Sequence, residues 1–134
     1  MKNKPENLSK LIADTCIWIE FLKNNPDIFP LMQELLEKSN IFTAECIFGE
    51  LLQGSKSGRE RDIVTGYWDC LPKLDEKGIW LKAGKYAGEK NFYEKGVGLI
   101  DAVLIVLALK NNLKIWTIDK KLKSVLHPDL IYLF

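Results

Sequence analysis

Leu11-Ile12-Ala13-Asp14-Thr15-Cys16-Ile17-Trp18-Ile19-Glu20-Phe21-Leu22 is the stretch that decides the fold. Its first three residues form a short apolar run stopped by an aspartate. From Thr15 onward the apolar positions take helical spacing, until Asn24-Asn25-Pro26 halts the chain. The stretch therefore reads as a strand feeding a helix.

The same change of period recurs outward from it. Residues 28–38 predict a helix, 41–43 a second short strand, and 44–53 a helix closed by Gly54. Residues 60–70 predict a further helix, and Pro72 breaks the chain ahead of a short strand at Lys73-Leu74. Residues 76–94 read as one long amphipathic helix rich in small residues, turned at 96–98. Residues 100–109 are apolar nearly all round, which predicts a helix buried in the middle of the fold. A strand at 114–118, a helix at 120–126 and a last strand at 130–133 complete the order. Strands alternating with helices predict an α/β domain, a three-layer α/β/α sandwich on a mostly parallel sheet of about five strands.

A length of 134 residues suits one domain, expected over 11–134 behind a loose polar lead of residues 1–10. Lys and Arg (19) nearly balance Asp and Glu (18), so this is no globally basic nucleic-acid binder. The longest apolar run, Ala102 to Leu109, is far short of the roughly 20 residues that span a bilayer, and no membrane association is expected. Cys16, Cys46 and Cys70 are odd in number, widely spaced and set among apolar neighbours. They read as small buried hydrophobes in a reducing cytoplasm. The single histidine, His127, precedes a proline in a turn, which leaves no Ser/His/Asp or paired-His chemistry.

In a parallel sheet every strand leaves by the same edge, so residues just after different strands converge. Asp14 and Asp119 are such residues. Asp101 reaches that edge from the start of the buried helix, and Glu50 lies on the helical stripe of Cys46, Ile47 and Gly54. Asp is a favoured N-cap, and capping alone accounts for each aspartate taken singly. It does not account for Glu50 in mid-helix, or for the strand ending Thr117-Ile118-Asp119, where Thr117 adds a hydroxyl. Two unpaired carboxylates about 4 Å apart repel by about 4 kcal/mol at an effective dielectric of about 20, so four in one pocket need a cation or shared protons. Oxygen-only ligation without His or Cys points to Mg²⁺ or Mn²⁺ rather than Zn²⁺.

Four blocks carry a family resemblance: Ile12-Ala13-Asp14-Thr15, Gly49-Glu50-Leu51-Leu52-Gln53-Gly54, Gly98-Leu99-Ile100-Asp101-Ala102 and Trp116-Thr117-Ile118-Asp119. Their order and separations resemble those of PIN domains over almost the whole chain from Leu11. At this size the likeness is to VapC-like ribonuclease toxins of toxin–antitoxin pairs. The resemblance implies a Mg²⁺-dependent endoribonuclease, with Mn²⁺ able to substitute, whose metal-holding quartet is Asp14, Glu50, Asp101 and Asp119 with Thr117 beside it. It further implies an RNA substrate, a cognate antitoxin laid over the active-site groove, and a homodimer, for which the second helix with Phe29, Met32 and Leu36 is a candidate surface. Cys16 stands where such proteins most often have Asn, and Leu122 where an aromatic is common. Glu45, one turn before Glu50, is a second acidic candidate.

Two local basic segments flank these blocks: Lys110, Lys114, Lys120, Lys121 and Lys123 on one side, Lys56, Arg59 and Arg61 on the other. They are placed to hold phosphates on either side of a scissile bond, or simply to solvate helices. Gly49 to Lys56 lacks the Lys-Ser order of a phosphate-binding loop, and Gly96-Val97-Gly98 lacks a third glycine, so a nucleotide cofactor is not expected. Trp18, Trp68, Trp80 and Trp116 read as core or interface residues. Two rival readings remain: a non-catalytic PIN-fold binding module, and a receiver-type signalling domain. The second lacks an acidic neighbour for Asp14.

Overall fold

The computed structural model of the chain describes residues 9–134; residues 1–8 of the expected lead lie outside the described residues. Leu11–Ala13 forms β1, fully buried, and β2 (Ile41–Phe42) and β3 (Lys114–Trp116) pair with it in parallel, in the order β2-β1-β3. Ile12 stands opposite Phe42 on one side and Ile115 on the other. The helices are α1 (Thr15–Leu22), α2 (Phe29–Glu37), α3 (Glu45–Gly54), α4 (Gly58–Cys70), α5 (Ile79–Glu89), α6 (Leu99–Asn111) and α7 (Lys120–Val125). Each strand is followed by a helix, as the alternating pattern predicts.

The sheet has three strands rather than about five. The two others shrink to single parallel bridges, Thr43 with Lys73 and Ile115 with Ile131. Pro72 has no N–H to continue the first of these. The second is cut short by a 3₁₀ turn at Pro128–Leu130, which takes Leu130, the residue expected to start the strand. Strand β3 stops at Trp116 because the Thr117 hydroxyl accepts the Asp119 N–H and bends the chain out of the ladder. Nor does one helix fill 76–94: α5 ends at Glu89, and Asn91 takes the left-handed conformation (φ 57°) that asparagine tolerates best among non-glycine residues. A 3₁₀ turn at Tyr93–Lys95 follows. Helix α4 starts two residues earlier than expected, because the Ser57 hydroxyl caps the Glu60 N–H at 3.1 Å.

Helix α6 lies against β1 and β3 and carries α5 on its far side. Ala102 to Ala108 are all buried, the all-round burial that its composition predicts. Elsewhere Trp18 packs edge-on to Phe48 and Phe21, and Phe29 stacks on Phe21 at 5.0 Å, which ties α1, α2 and α3 together. On α2, Met32 is fully buried, while Phe29 and Leu36, the other two residues of the candidate dimer surface, are half-buried. Of the cysteines only Cys46 is buried; Cys16 is half-buried and Cys70 exposed, because its helix turns that face outward. Trp18 and Trp116 are core residues, Trp68 is half-buried under the Lys73 ammonium, and Trp80 is exposed.

Candidate active site

Strands β1 and β3 end side by side, and the Asp14 N–H extends their ladder by bonding the Trp116 carbonyl at 2.9 Å. This brings Asp14 and Thr117 together across 103 residues of chain. Asp14 is the buried member of the acidic set. Its Oδ1 accepts the Thr15 N–H at 2.8 Å, capping α1. Its Oδ2 accepts the Thr117 hydroxyl at 2.7 Å and the Cys16 thiol at 3.4 Å. The Thr117 oxygen in turn accepts the Asp119 N–H at 3.0 Å, so one hydroxyl fixes both aspartates. Asp119 caps α7 through Oδ1, which accepts from the N–H groups of Lys121 (2.9 Å) and Leu122 (3.4 Å).

Asp101 sits in the first turn of α6, where its Oδ2 accepts the Gly98 N–H at 3.2 Å. Burial pushes its carboxyl up to about 6; the Gly98 bond lowers it, and the charges of Asp14, Asp119 and Glu50 raise it again. All three other carboxylates of the set thus stand within electrostatic reach of Asp101. Glu50 is held by a residue that the sequence reading did not single out: the Thr15 hydroxyl donates to its Oε1 at 2.7 Å. The signal was present, since a hydroxyl next to a strand-end aspartate points along the same edge. Burial, and then the Asp14 charge, raises the Cys16 thiol, so Cys16 remains a neutral donor beside Asp14.

Glu45 belongs elsewhere. Its N–H bonds the Glu76 carboxylate at 2.6 Å, and both line a separate hollow with Cys46 and Trp80. Lys56, Arg59, Arg61, Lys120 and Lys121 are exposed, as solvated helix residues would be.

The donor set at the edge is four carboxylates and a hydroxyl, which matches a hard divalent cation. The bonds just described leave Oδ1 of Asp101, Oδ2 of Asp119 and Oε2 of Glu50 for such a role. As placed, though, no three His, Cys, Asp or Glu side chains among the described residues are close enough to hold one ion together. Asp14, Asp101 and Asp119 each commit one oxygen to a helix N-terminus.

A parallel α/β domain with an all-carboxylate patch at the carboxyl edge of its sheet defines a class; comparison places the chain within it. The PIN domain model matches residues 11–127, and the chain belongs to the PIN-domain family. Among solved structures it is similar to a toxin–antitoxin complex from Klebsiella pneumoniae, with a TM-score of 0.68 at 15% identity, covering 91% of this chain and 96% of that one. It is also similar to VapBC2 from Rickettsia felis bound to a DNA fragment from their promoter, at TM-score 0.64 and 21% identity, covering 90% and 95%. FitAcB from Neisseria gonorrhoeae follows at TM-score 0.56 and 17% identity, covering 84% and 89%. No curated protein sequence matches significantly.

Proposed function

We propose that the chain is a divalent-metal-dependent endoribonuclease and the toxin of a type II toxin–antitoxin pair. The single observation that carries this reading is the gathering of the acidic set at the ends of β1 and β3, where Thr117 bonds the Asp14 carboxylate and the Asp119 N–H, Thr15 bonds Glu50, and the charges of all three act on Asp101. Those four residues would hold Mg²⁺, or Mn²⁺ in its place, directly or through water. The chemistry such a cation supplies is polarisation of a phosphodiester and acidification of an attacking water.

The chain's own residues do the rest. Thr117 keeps Asp14 and Asp119 at a fixed separation, and Thr15 holds Glu50 against the end of β1. Without a cation, four negative charges repel an RNA phosphate from this edge; with their charge neutralised, the same residues orient it. This reading requires no covalent nucleophile from the protein. The same negative edge suits an antitoxin Arg, whose guanidinium bonds carboxylates bidentately. Homodimerisation in the cytoplasm belongs to this reading, with the half-buried Phe29 and Leu36 of α2 as candidate contacts.

The test is labelled RNA incubated with purified protein and Mg²⁺, with EDTA and with Asp101→Asn as controls. Cleavage only by the wild type and only with metal, together with growth arrest by the wild type alone in a bacterial host, is the expected outcome. A second reading, a PIN-fold binding module without catalysis, is favoured by the finding that, among the described residues, no three His, Cys, Asp or Glu side chains are close enough to share an ion. RNA left intact at every metal concentration would favour it over the nuclease reading.

A further inference from the structure

A cleft of about 720 Å³ opens between the C-terminal ends of α5 and α7 and the outer half of α6, and none of the four carboxylates lines it. Lys90, Lys95 and His127 stand on its rim, Tyr86, Ile105 and Leu109 on its wall and floor, and no Asp or Glu lines it. The volume falls in the range of about 300–1,000 Å³ typical of ligand clefts. Cationic rim and apolar floor together fit a phosphate joined to a flat organic group, and Leu109, though on a buried helix, is 57% exposed there.

Two segments join this cleft to the candidate active site. Lys95 on the rim is three residues from Gly98, whose N–H holds Asp101, a reach of at most about 10 Å of chain. Helix α7 runs from its cap Asp119 to Ser124 in the cleft wall, a rise of about 8 Å. The two segments touch: a Cβ on Gly96 would lie 3.2 Å from the Lys121 side chain, and Gly96 itself has φ 73°.

We propose that this cleft holds the stretch of RNA adjoining the scissile bond, with its phosphates on Lys90 and Lys95 and a sugar or base over Leu109 and Tyr86. The inference rests on the ribonuclease reading and deepens it, because it supplies the cationic surface that the overall charge of +1 hides. The local basic segments at 56–61 and 120–123 contribute no rim residue to it.

Fluorescence anisotropy of a labelled mixed-sequence single-stranded 12-nucleotide RNA (~12 being within the site sizes of single-strand binders) tests it. Asp101→Asn protein serves as the parent, compared with the same protein carrying Lys90→Ala and Lys95→Ala. A charge-matched control carries Lys77→Ala and Lys82→Ala, both exposed and away from the cleft. Loss of two phosphate contacts from a single strand lowers the salt slope by about 1.4, so raising salt from about 50 to about 200 mM should weaken the parent about sevenfold more than the cleft variant. The control should follow the parent. A cleft variant with the affinity and salt slope of the control overturns the proposal. If the wild type nonetheless cuts RNA, the ribonuclease reading survives that loss. Conversely, lysine-dependent binding by a wild type that cuts no RNA removes the cleavage reading and leaves the cleft as an RNA site. A poly-glutamate peptide bound through the two lysines, with RNA unaffected, would overturn the proposal in favour of an acidic protein partner.

Discussion

Helix α6 passes through two environments within one turn. At Leu104 it is fully buried against the sheet, while three residues earlier Asp101 stands among like charges. The apolar stretch gains from every contact it makes; the acidic end gives up stability, because burial and three neighbouring carboxylates all oppose its charge. Such a pairing is what a rigid platform for a cation-requiring site looks like: the core holds the helix in place firmly enough for its first turn to carry an unfavourable charge.

The largest effect should come from the apolar side. Leu104→Ala removes a fully buried side chain and should cost about 2–5 kcal/mol in urea unfolding. A cost below about 1 kcal/mol would mean that α6 is not the stabilising member of the pair.

Next comes the bond that joins the two regions. Thr117→Val keeps the shape but removes the hydroxyl from the Asp14 carboxylate and strands the Asp119 N–H, which should cost about 1–3 kcal/mol. Activity should fall with it, since Asp14 and Asp119 lose their common anchor. Wild-type melting and wild-type cleavage together would show that this hydroxyl matters to neither region.

Asp101→Asn should act in the opposite direction and more weakly. The folded-state value of about 6 lies above the ordinary 3.8, so the folded protein binds the proton more tightly than the unfolded chain. Wild-type stability from this group is therefore highest below about pH 4 and is lost as pH rises through 6. The variant lacks that loss. In metal-free buffer it should be more stable than wild type at pH 8 by about 1 kcal/mol, once solvent screening is allowed for, and gain nothing at pH 4. Calorimetric melts across that range read the sign directly.

The sequence made much of this comparison legible. Switches from short apolar runs to helical spacing place β1, β2, β3 and their helices, and three aspartates at helix starts mark one edge of a parallel sheet. The all-round apolar α6 is plain from its composition. What stayed hidden depended on contacts between distant residues or on single bonds. Lys73 and Ile131 each make only a bridge, because Pro72 and the Pro128–Leu130 turn take the neighbouring residues. Asn91 ends α5 through a left-handed backbone that no periodicity reveals. Thr15 meets Glu50 across 35 residues.

Isothermal titration of the wild type and of Asp101→Asn with Mn²⁺ and Mg²⁺, without RNA, tests most directly whether the acidic end of α6 is built for a cation. The account predicts saturable heat for the wild type, a rise in its melting temperature by mass action, and strong weakening of both in the variant. No heat and no shift in the wild type at millimolar metal, or equal binding by the variant, would contradict it.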